Sequence, residues 1–363
     1  MRIALVSPTY WPEVRRGSER VVHDLGSELA GRGHDVTVIT SHRRRPTVTV
    51  EEGMKVIRSW RPGELPGTAL HEYHLLNVPT VFGRLVRGSF DLAHSFFPAD
   101  SWAAVLARRF GGPPVIATMH GVPTREYLVA RRHRLEMIHA TVRRAEACTV
   151  LSEAAARPYR RYLFREPTVL PPGVVGSEYA TDGPRSESPT LFCASSLGDP
   201  RKRAPLLFAA LGRLRERRPE VTLRVARPRD PVMSGRAPEL PDGAEWVDVD
   251  AEGALAAQYA SAWVTVNPAV GEAFGLVLLE SLAAGTPIVA DDSGAAPEIV
   301  GEREIGRVFS AEDETDLTRA LHEALDLAQQ EPTAAECRAR AADYDWSRVV
   351  ERYEAVYRSV LAD

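Results

Sequence analysis

The 363-residue chain is longer than one ordinary domain and sufficient for two of about 150–190 residues. Its 44% apolar and 26% charged content is that of a soluble globular protein and excludes a disordered chain. The charge is divided: residues 1–172 hold 25 Lys/Arg against 16 Asp/Glu, and residues 173–363 hold 20 against 33, which reads as two domains with different partners.

The opening "MRIALVSP" breaks its apolar run at Ser7 and Pro8, too early for the core of a signal peptide. No apolar stretch approaches the ~18–20 residues that span a bilayer. The three cysteines, Cys148, Cys193 and Cys337, are odd in number and far apart. They read as buried thiols of a cytoplasmic protein rather than a disulfide framework or metal cluster. Of 45 basic residues only Lys55 and Lys202 are lysines.

"RIALVS" is a short apolar run suited to a buried parallel strand, followed by the interrupted loop "PTYWPEVRRGSE". "RVVHDLGSELAGRG" places Val21, Val22, Leu25 and Leu29 on one helical face and stops at Gly31 and Gly33. "HDVTVIT", "DLAHS", "PVIATM" and "ACTVLS" read as further strands with helices between them, the pattern of a parallel sheet covered on both faces. Periodicity fades across "REPTVLPPGVVGSEYATDGPRSESP", which reads as the interdomain linker. Strands resume at "TLFCAS", "VTLRVA", "AEWVDV", "WVTVNP", "PIVADD" and "GRVFS". The last stretch, "DWSRVVERYEAVYRSVLA", is an amphipathic helix whose Val349, Tyr353, Val356, Tyr357 and Val360 form a stripe that must be buried.

"GRGHDV" imitates a dinucleotide fingerprint, but it ends a helix and begins a strand, the reverse of what phosphate binding requires. The informative segment is "NPAVGEAFGLVLLESLAAGTPIVADDSGAAPEIV", residues 267–300. A strand enters a turn, and Glu272 stands before a helix expected to begin near Phe274. The free N–H groups of Ala273, Phe274, Gly275 and Leu276, with the positive end of the helix dipole, would form a site for a diphosphate. Glu280, ~9 Å further along such a helix, is placed to accept from ribose hydroxyls. Glu272, on the other side of the phosphate, would accept from hydroxyls of an attached sugar.

The spacing of Glu272 and Glu280, the following "AGTPIVA", and Pro297-Glu298 resemble retaining glycosyltransferases of family 4. The segments "YWPEVRRGSERVV", "GRGHDVTVIT", "DLAHS", "TMHG", "TVLSE", "VLPPGV", "RKRAPLL" and "DWSRVVERYEAVY" resemble family landmarks in the right order. The resemblance implies a GT-B architecture, with two Rossmann-like domains facing across a cleft. Residues 1–172 would bind the acceptor, residues 173–342 the donor, and a C-terminal helix within 343–363 would cross back to the first domain. It further implies a nucleotide-diphosphate sugar, such as a UDP- or GDP-sugar, as co-substrate. No cofactor, no metal and retention of anomeric configuration are implied with it.

By the same resemblance Glu272 holds the donor sugar, Glu280 the ribose, and Gly17 lies close to the diphosphate. Lys202 stands at the lysine place that neutralises the leaving diphosphate. The family's arginine place falls at Ser196, leaving Arg201 or Arg203 to substitute. His120, ending a strand in "TMHG", takes the donor sugar near its hydroxymethyl group. Tyr10, Glu19 and His94 fall to the acceptor side. "VARPRDP" and "GAAPE" depart from the family pattern and leave the base and sugar open.

The triplets Asp248-Val249-Asp250 and Asp343-Tyr344-Asp345 have the spacing of metal-holding "DxD" motifs, but neither follows an N-terminal nucleotide domain, and metal binding is not expected there. The clustered arginines 43–45, Arg131, Arg132 and Arg134, Arg143 and Arg144, and Arg157, Arg160 and Arg161 point to an anionic or lipid-linked acceptor and peripheral membrane contact at the inner face. A solvated basic surface is the alternative reading. No nucleic-acid partner is expected. The rival functions are a nucleotide-sugar 2-epimerase on the same fold and a non-catalytic sugar-nucleotide-binding protein. A Schiff-base cofactor of the glycogen-phosphorylase type has only Lys55 and Lys202 to use and is set aside.

Overall fold

A computed structural model of the chain describes residues 1–61, 75–181, 183–228, 237–301, 304–310 and 312–362. The chain divides into two compact units, Met1–Gly173 with Trp346–Asp363, and Val174–Asp345.

The first unit is built on β1 (Arg2–Val6), β2 (Asp35–His42), β3 (Thr47–Glu51), β4 (Met54–Trp60), β5 (Leu92–Ser95), β6 (Val115–Met119), β7 (Ala147–Val150) and β8 (Thr168–Val169). Among the described residues they form one sheet in the order β3-β4-β2-β1-β5-β6-β7-β8. Only the β3–β4 pair is antiparallel. Ile3, Ala4, Leu5 and Val6 are all fully buried, as a central strand with both faces covered requires. The helix Gly17–Gly31 buries Val21, Val22, Leu25 and Leu29, the face marked by its apolar period. It ends where Gly33 takes the left-handed conformation, φ 86°.

The terminal helix Trp346–Ala362 belongs to this unit and packs on the helix Gly17–Gly31. Its stripe is Trp346, Val349, Val350, Tyr353, Tyr357 and Val360. Val356, expected in the stripe, is only partly buried, because a period of 3.6 residues carries the face through Val350 and Tyr357 instead. Glu354 accepts from His34 at 2.8 Å and from Arg32 at 3.3 Å. The Tyr353 hydroxyl donates to the Leu170 carbonyl at 3.3 Å. A Cβ at Gly173 would lie 2.5 Å from the Trp346 ring, so the chain can turn under this helix only with glycine there. The crossing back falls at Asp345/Trp346. Residues 343–345 stay with the second unit, where the Val174 N–H donates to the Tyr344 carbonyl at 2.9 Å.

The second unit holds β9 (Thr190–Cys193), β10 (Thr222–Ala226), β11 (Ala244–Val247), β12 (Val264–Asn267), β13 (Ile288–Asp291) and β14 (Gly306–Phe309). The described strands order as β11-β10-β9-β12-β13-β14, all parallel. On one face Leu207, Leu211 and Leu214 share a core with Leu317, Leu321 and Leu325. Strand order reverses between β9 and β12, the place at which open parallel α/β sheets bind ligands at the carboxyl ends of their strands. In the first sheet the reversal lies between β1 and β5. Cys148, Cys193 and Cys337 are free and buried.

Candidate active site

In the second unit, β9 leads through residues 194–199 into a short 3-10 turn, Pro200–Lys202, capped by Asp199, whose side chain accepts from the Arg201 N–H. Arg203 follows in the left-handed conformation, φ 45°. Its guanidinium donates to the Pro268 carbonyl at 2.7 Å and to Asp291 at 2.5 Å. The Val270 N–H donates to the Arg201 carbonyl at 3.1 Å. The loops after β9, β12 and β13 are thereby tied together at the point of strand reversal. On this frame Lys202 Nζ meets Glu272 Oε2 at 2.6 Å, with the side chains 18% and 29% exposed.

Glu272 is held by its backbone as well. Ala295 N–H donates to the Glu272 carbonyl at 3.1 Å, and Gly271 N–H to Ser293 Oγ at 2.9 Å. A Cβ at Gly294 would stand 2.5 Å from the Glu272 carbonyl oxygen and 2.8 Å from its nitrogen. The "GAAPE" element therefore works as a clamp on Glu272, closing so tightly that it admits only glycine at 294.

The helix after Glu272 runs Leu276–Ala284 and not from Phe274. Gly275 caps it at φ 90°, a conformation that stops the helix from extending backward. Ala273 and Phe274 belong to the turn and are 6% and 5% exposed, with the Phe274 ring 5.6 Å from Tyr344. With Gly275 as its N-cap, the helix's first two residues are Leu276 and Val277, whose N–H groups have no intrahelical acceptor. Leu278 N–H already donates to the Gly275 carbonyl at 2.9 Å. Glu280 is now ~6 Å into the helix, not ~9 Å. Its carboxylate accepts from the Tyr259 hydroxyl at 2.7 Å. Sequence reasoning missed Tyr259, which lies 21 residues away on another helix.

Of the two candidate arginines, Arg203 is committed to Asp291 and Pro268, its side chain only 11% exposed. Arg201 is 68% exposed and paired with Asp199 at 2.7 Å. Ser196 Oγ is buried and has no hydrogen-bond partner among the described residues. Pro228 is the last described residue of "VARPRDP" before residue 237.

In the first unit, Gly17 is the exposed first residue of its helix, after the loop that leaves β1. Glu19 is 2% exposed and accepts from Thr9 Oγ1 at 2.6 Å and Ser18 Oγ at 2.7 Å, which folds that loop onto the helix. Tyr10 is equally buried, its hydroxyl 3.8 Å from Met54 Sδ, and burial pushes its pKa far up. His94 is fully buried between Tyr357, 2.7 Å from Nδ1, and Thr118, 2.5 Å from Nε2. The polar atoms of Tyr10, Glu19 and His94, expected on the acceptor side, make contacts within the unit. His94 in particular pins the terminal helix to β5 and β6.

His120 differs from His94. Both its ring nitrogens are buried without a hydrogen-bond partner among the described residues, and desolvation lowers its pKa to about 4. Its ring lies 5.2 Å from Phe96 and lines a recess with Thr118, Met119 and Tyr127. A neutral imidazole with unused nitrogens can accept from or donate to a ligand hydroxyl.

The basic clusters are thinned by the fold. Arg134 is 5% exposed, its guanidinium 4.1 Å over the Tyr127 ring. Arg160 is held between Glu153 and Glu166. Among the described residues no three His, Cys, Asp or Glu side chains gather as metal ligands. None of the described helices is long and apolar enough to cross a membrane.

Residues 15–175 match the family described as Glycosyltransferase Family 4, and residues 188–326 match Glycosyl transferases group 1. The chain is 28% identical to a phosphatidyl-myo-inositol mannosyltransferase of Mycolicibacterium smegmatis, over 99% of this chain and 94% of that one. Its fold is similar to that of sucrose-phosphate synthase from Thermosynechococcus elongatus, TM-score 0.82 at 22% identity, covering 99% of both chains. It is also similar to Anabaena HepE in complex with UDP and glucose, TM-score 0.74 at 16% identity, covering 99% of this chain and all of that one. Two parallel α/β units, a terminal helix returned to the first, and family matches over both halves lead to one assignment: the chain belongs to glycosyltransferase family 4 and is a glycosyltransferase of the GT-B fold.

Proposed function

We propose that the chain moves a sugar from a nucleoside-diphosphate donor, held on the second unit, to a hydroxyl of a lipid-linked acceptor, with retention of configuration and without a divalent metal. The observation that carries this reading is the meeting of Lys202 and Glu272 at 2.6 Å beside the open start of the helix Leu276–Ala284. A diphosphate seated on Leu276 and Val277 N–H would have the ammonium as its counter-charge. The Glu272 carboxylate would accept hydroxyls of the attached sugar, and Glu280 those of the ribose. As the anomeric carbon–phosphate bond breaks, the electron pair remains on the diphosphate oxygen, where a fixed positive charge lowers the barrier. The acceptor oxygen forms the new bond on the same face, and its proton passes to the departing phosphate.

A lipid-linked acceptor is supported by the similarity to the M. smegmatis phosphatidyl-myo-inositol mannosyltransferase and by the surface of the first unit. There Tyr127 and Val129, 38% and 58% exposed, lie beside the exposed Arg125, Arg131 and Arg132. Exposed apolar side chains interspersed with arginines suit an anionic bilayer surface. The epimerase alternative finds no support in the relatives named above.

The test is turnover of UDP- and GDP-sugars with vesicles containing an anionic polyol phospholipid, with and without EDTA. Activity should survive EDTA, the product should keep the donor's anomeric configuration, and Lys202→Ala should lose at least about 10²-fold, the scale for removing a preorganised charge-stabilising donor. Loss of activity on EDTA with rescue by Mn²⁺ would overturn the metal-free mechanism. Transfer to a soluble sugar phosphate in preference to the vesicle would overturn the lipid acceptor.

A further inference from the structure

Tyr259 lies outside every motif that marks the donor site, yet its hydroxyl donates to Glu280 Oε2 at 2.7 Å. It sits on the helix Ala254–Ser261 and is fully buried. Its ring is boxed edge-on by Phe192 of β9, 5.1 Å between centroids, and by Tyr179 at 5.9 Å. Its carbonyl accepts from Thr286 Oγ1 at 2.7 Å. Thr286 follows the helix that carries Glu280, and its N–H returns to the Ser281 carbonyl at 3.0 Å. Tyr259 therefore grips that helix at two places, through the Glu280 side chain and through the turn at its end.

We propose that Tyr259 is a positioning residue for nucleotide recognition, locking the Glu280 carboxylate in the one orientation that receives ribose hydroxyls. The inference rests on the ribose role given to Glu280 above and adds to it the group that fixes the carboxylate's geometry. A carboxylate on three rotatable bonds samples several rotamers, and ordering it on binding weakens affinity. A buried, boxed phenol that donates to one oxygen removes that freedom before the nucleotide arrives. Burial, and secondarily the Glu280 charge, push the Tyr259 pKa well up, so the hydroxyl stays a donor across the working pH range.

The experiment is calorimetric binding of UDP and GDP, each beside its 2′,3′-dideoxy counterpart, to the full chain. Wild type should prefer the ribose form, and Glu280→Ala should abolish the preference. Tyr259→Phe should lose about tenfold for the ribose form and nothing for the dideoxy form, the scale of one hydrogen bond to a charged group. Tyr259→Phe/Glu280→Ala should match Glu280→Ala alone. If Tyr259→Phe weakens both forms equally, its role is only structural and the proposal falls. If it changes neither while Glu280→Ala removes the preference, the proposal falls and the ribose role stands. If Glu280→Ala keeps the preference, the ribose role itself is wrong, and the proposal goes with it.

Discussion

Glu272→Ala is the most discriminating single change at this site. The carboxylate lies 2.6 Å from Lys202 Nζ. With side-chain exposures of 18% and 29% the pair is only partly shielded from water, so its strength is about 1 kcal/mol, the upper end for such pairs. A diphosphate arriving at the helix start meets an ammonium already partnered and a carboxylate of its own sign. Removing the carboxylate frees the one and deletes the other. At 1.4 kcal/mol per tenfold, free UDP or GDP should bind about three- to fivefold more tightly. The intact nucleotide sugar behaves otherwise, because its hydroxyls lose a charged acceptor. That contact is typically ~1.5–3 kcal/mol. Turnover should therefore fall by ten- to a hundredfold while affinity for the free nucleotide rises. Calorimetry on wild type, Glu272→Ala and Lys202→Ala/Glu272→Ala, with initial rates of nucleotide release, reads both quantities. The gain should vanish in the double variant. A tenfold loss of free-nucleotide affinity in Glu272→Ala, with the melting temperature unchanged, would show that the carboxylate supports the phosphate site and would refute the reasoning.

Gly294→Ala places a methyl 2.5 Å from the Glu272 carbonyl oxygen. Displacing that backbone by a fraction of an ångström should cost about tenfold or more in kcat and leave the melting temperature within a few degrees; unchanged kcat would remove the clamp. Desolvation holds His120 neutral down to about 4, whereas the unfolded chain protonates near 6.5. Its folded pKa is depressed, so its stability contribution is complete above pH 6.5 and is lost as pH falls from 6.5 toward 4. His94, with a pKa of about 3, acts in the same direction. Asp100 opposes them: burial raises its pKa to about 7, so its contribution grows as pH falls from 7 toward 4. His120→Phe breaks no hydrogen bond to a described residue. It should shallow the fall in melting temperature between pH 6.5 and 4; an identical pH slope in wild type and variant would show that His120 is already solvated.

The alternation of most strands with helices, the buried face of the terminal helix, and the pair of glutamates around a helix start were legible along the chain, whereas the antiparallel pair β3–β4 and the short β8, inside the stretch read as linker, were not. Each legible feature is carried by residues within one or two turns or strands of each other, where apolar period and breaking glycines act locally. The helix start itself was misplaced by two residues. Phe274 looks like a good first helical residue, but Gly275 in the left-handed region ends any helix that approaches from its side. His94 and His120 have similar local settings in sequence, both near the carboxyl ends of strands. Folding gives one of them Tyr357 from the far end of the chain and leaves the other's nitrogens unpartnered. The remaining decisions belong to sheet topology. Lys202 and Glu272 are 70 residues apart and meet because β9 and β12 are neighbours where the strand order reverses. Gly294 comes under Glu272, and Tyr259 against Glu280, through the same packing of β13 and the flanking helices. Side-chain direction and long-range pairing are set by which elements share a layer, a property of the whole sheet that no short window of residues contains.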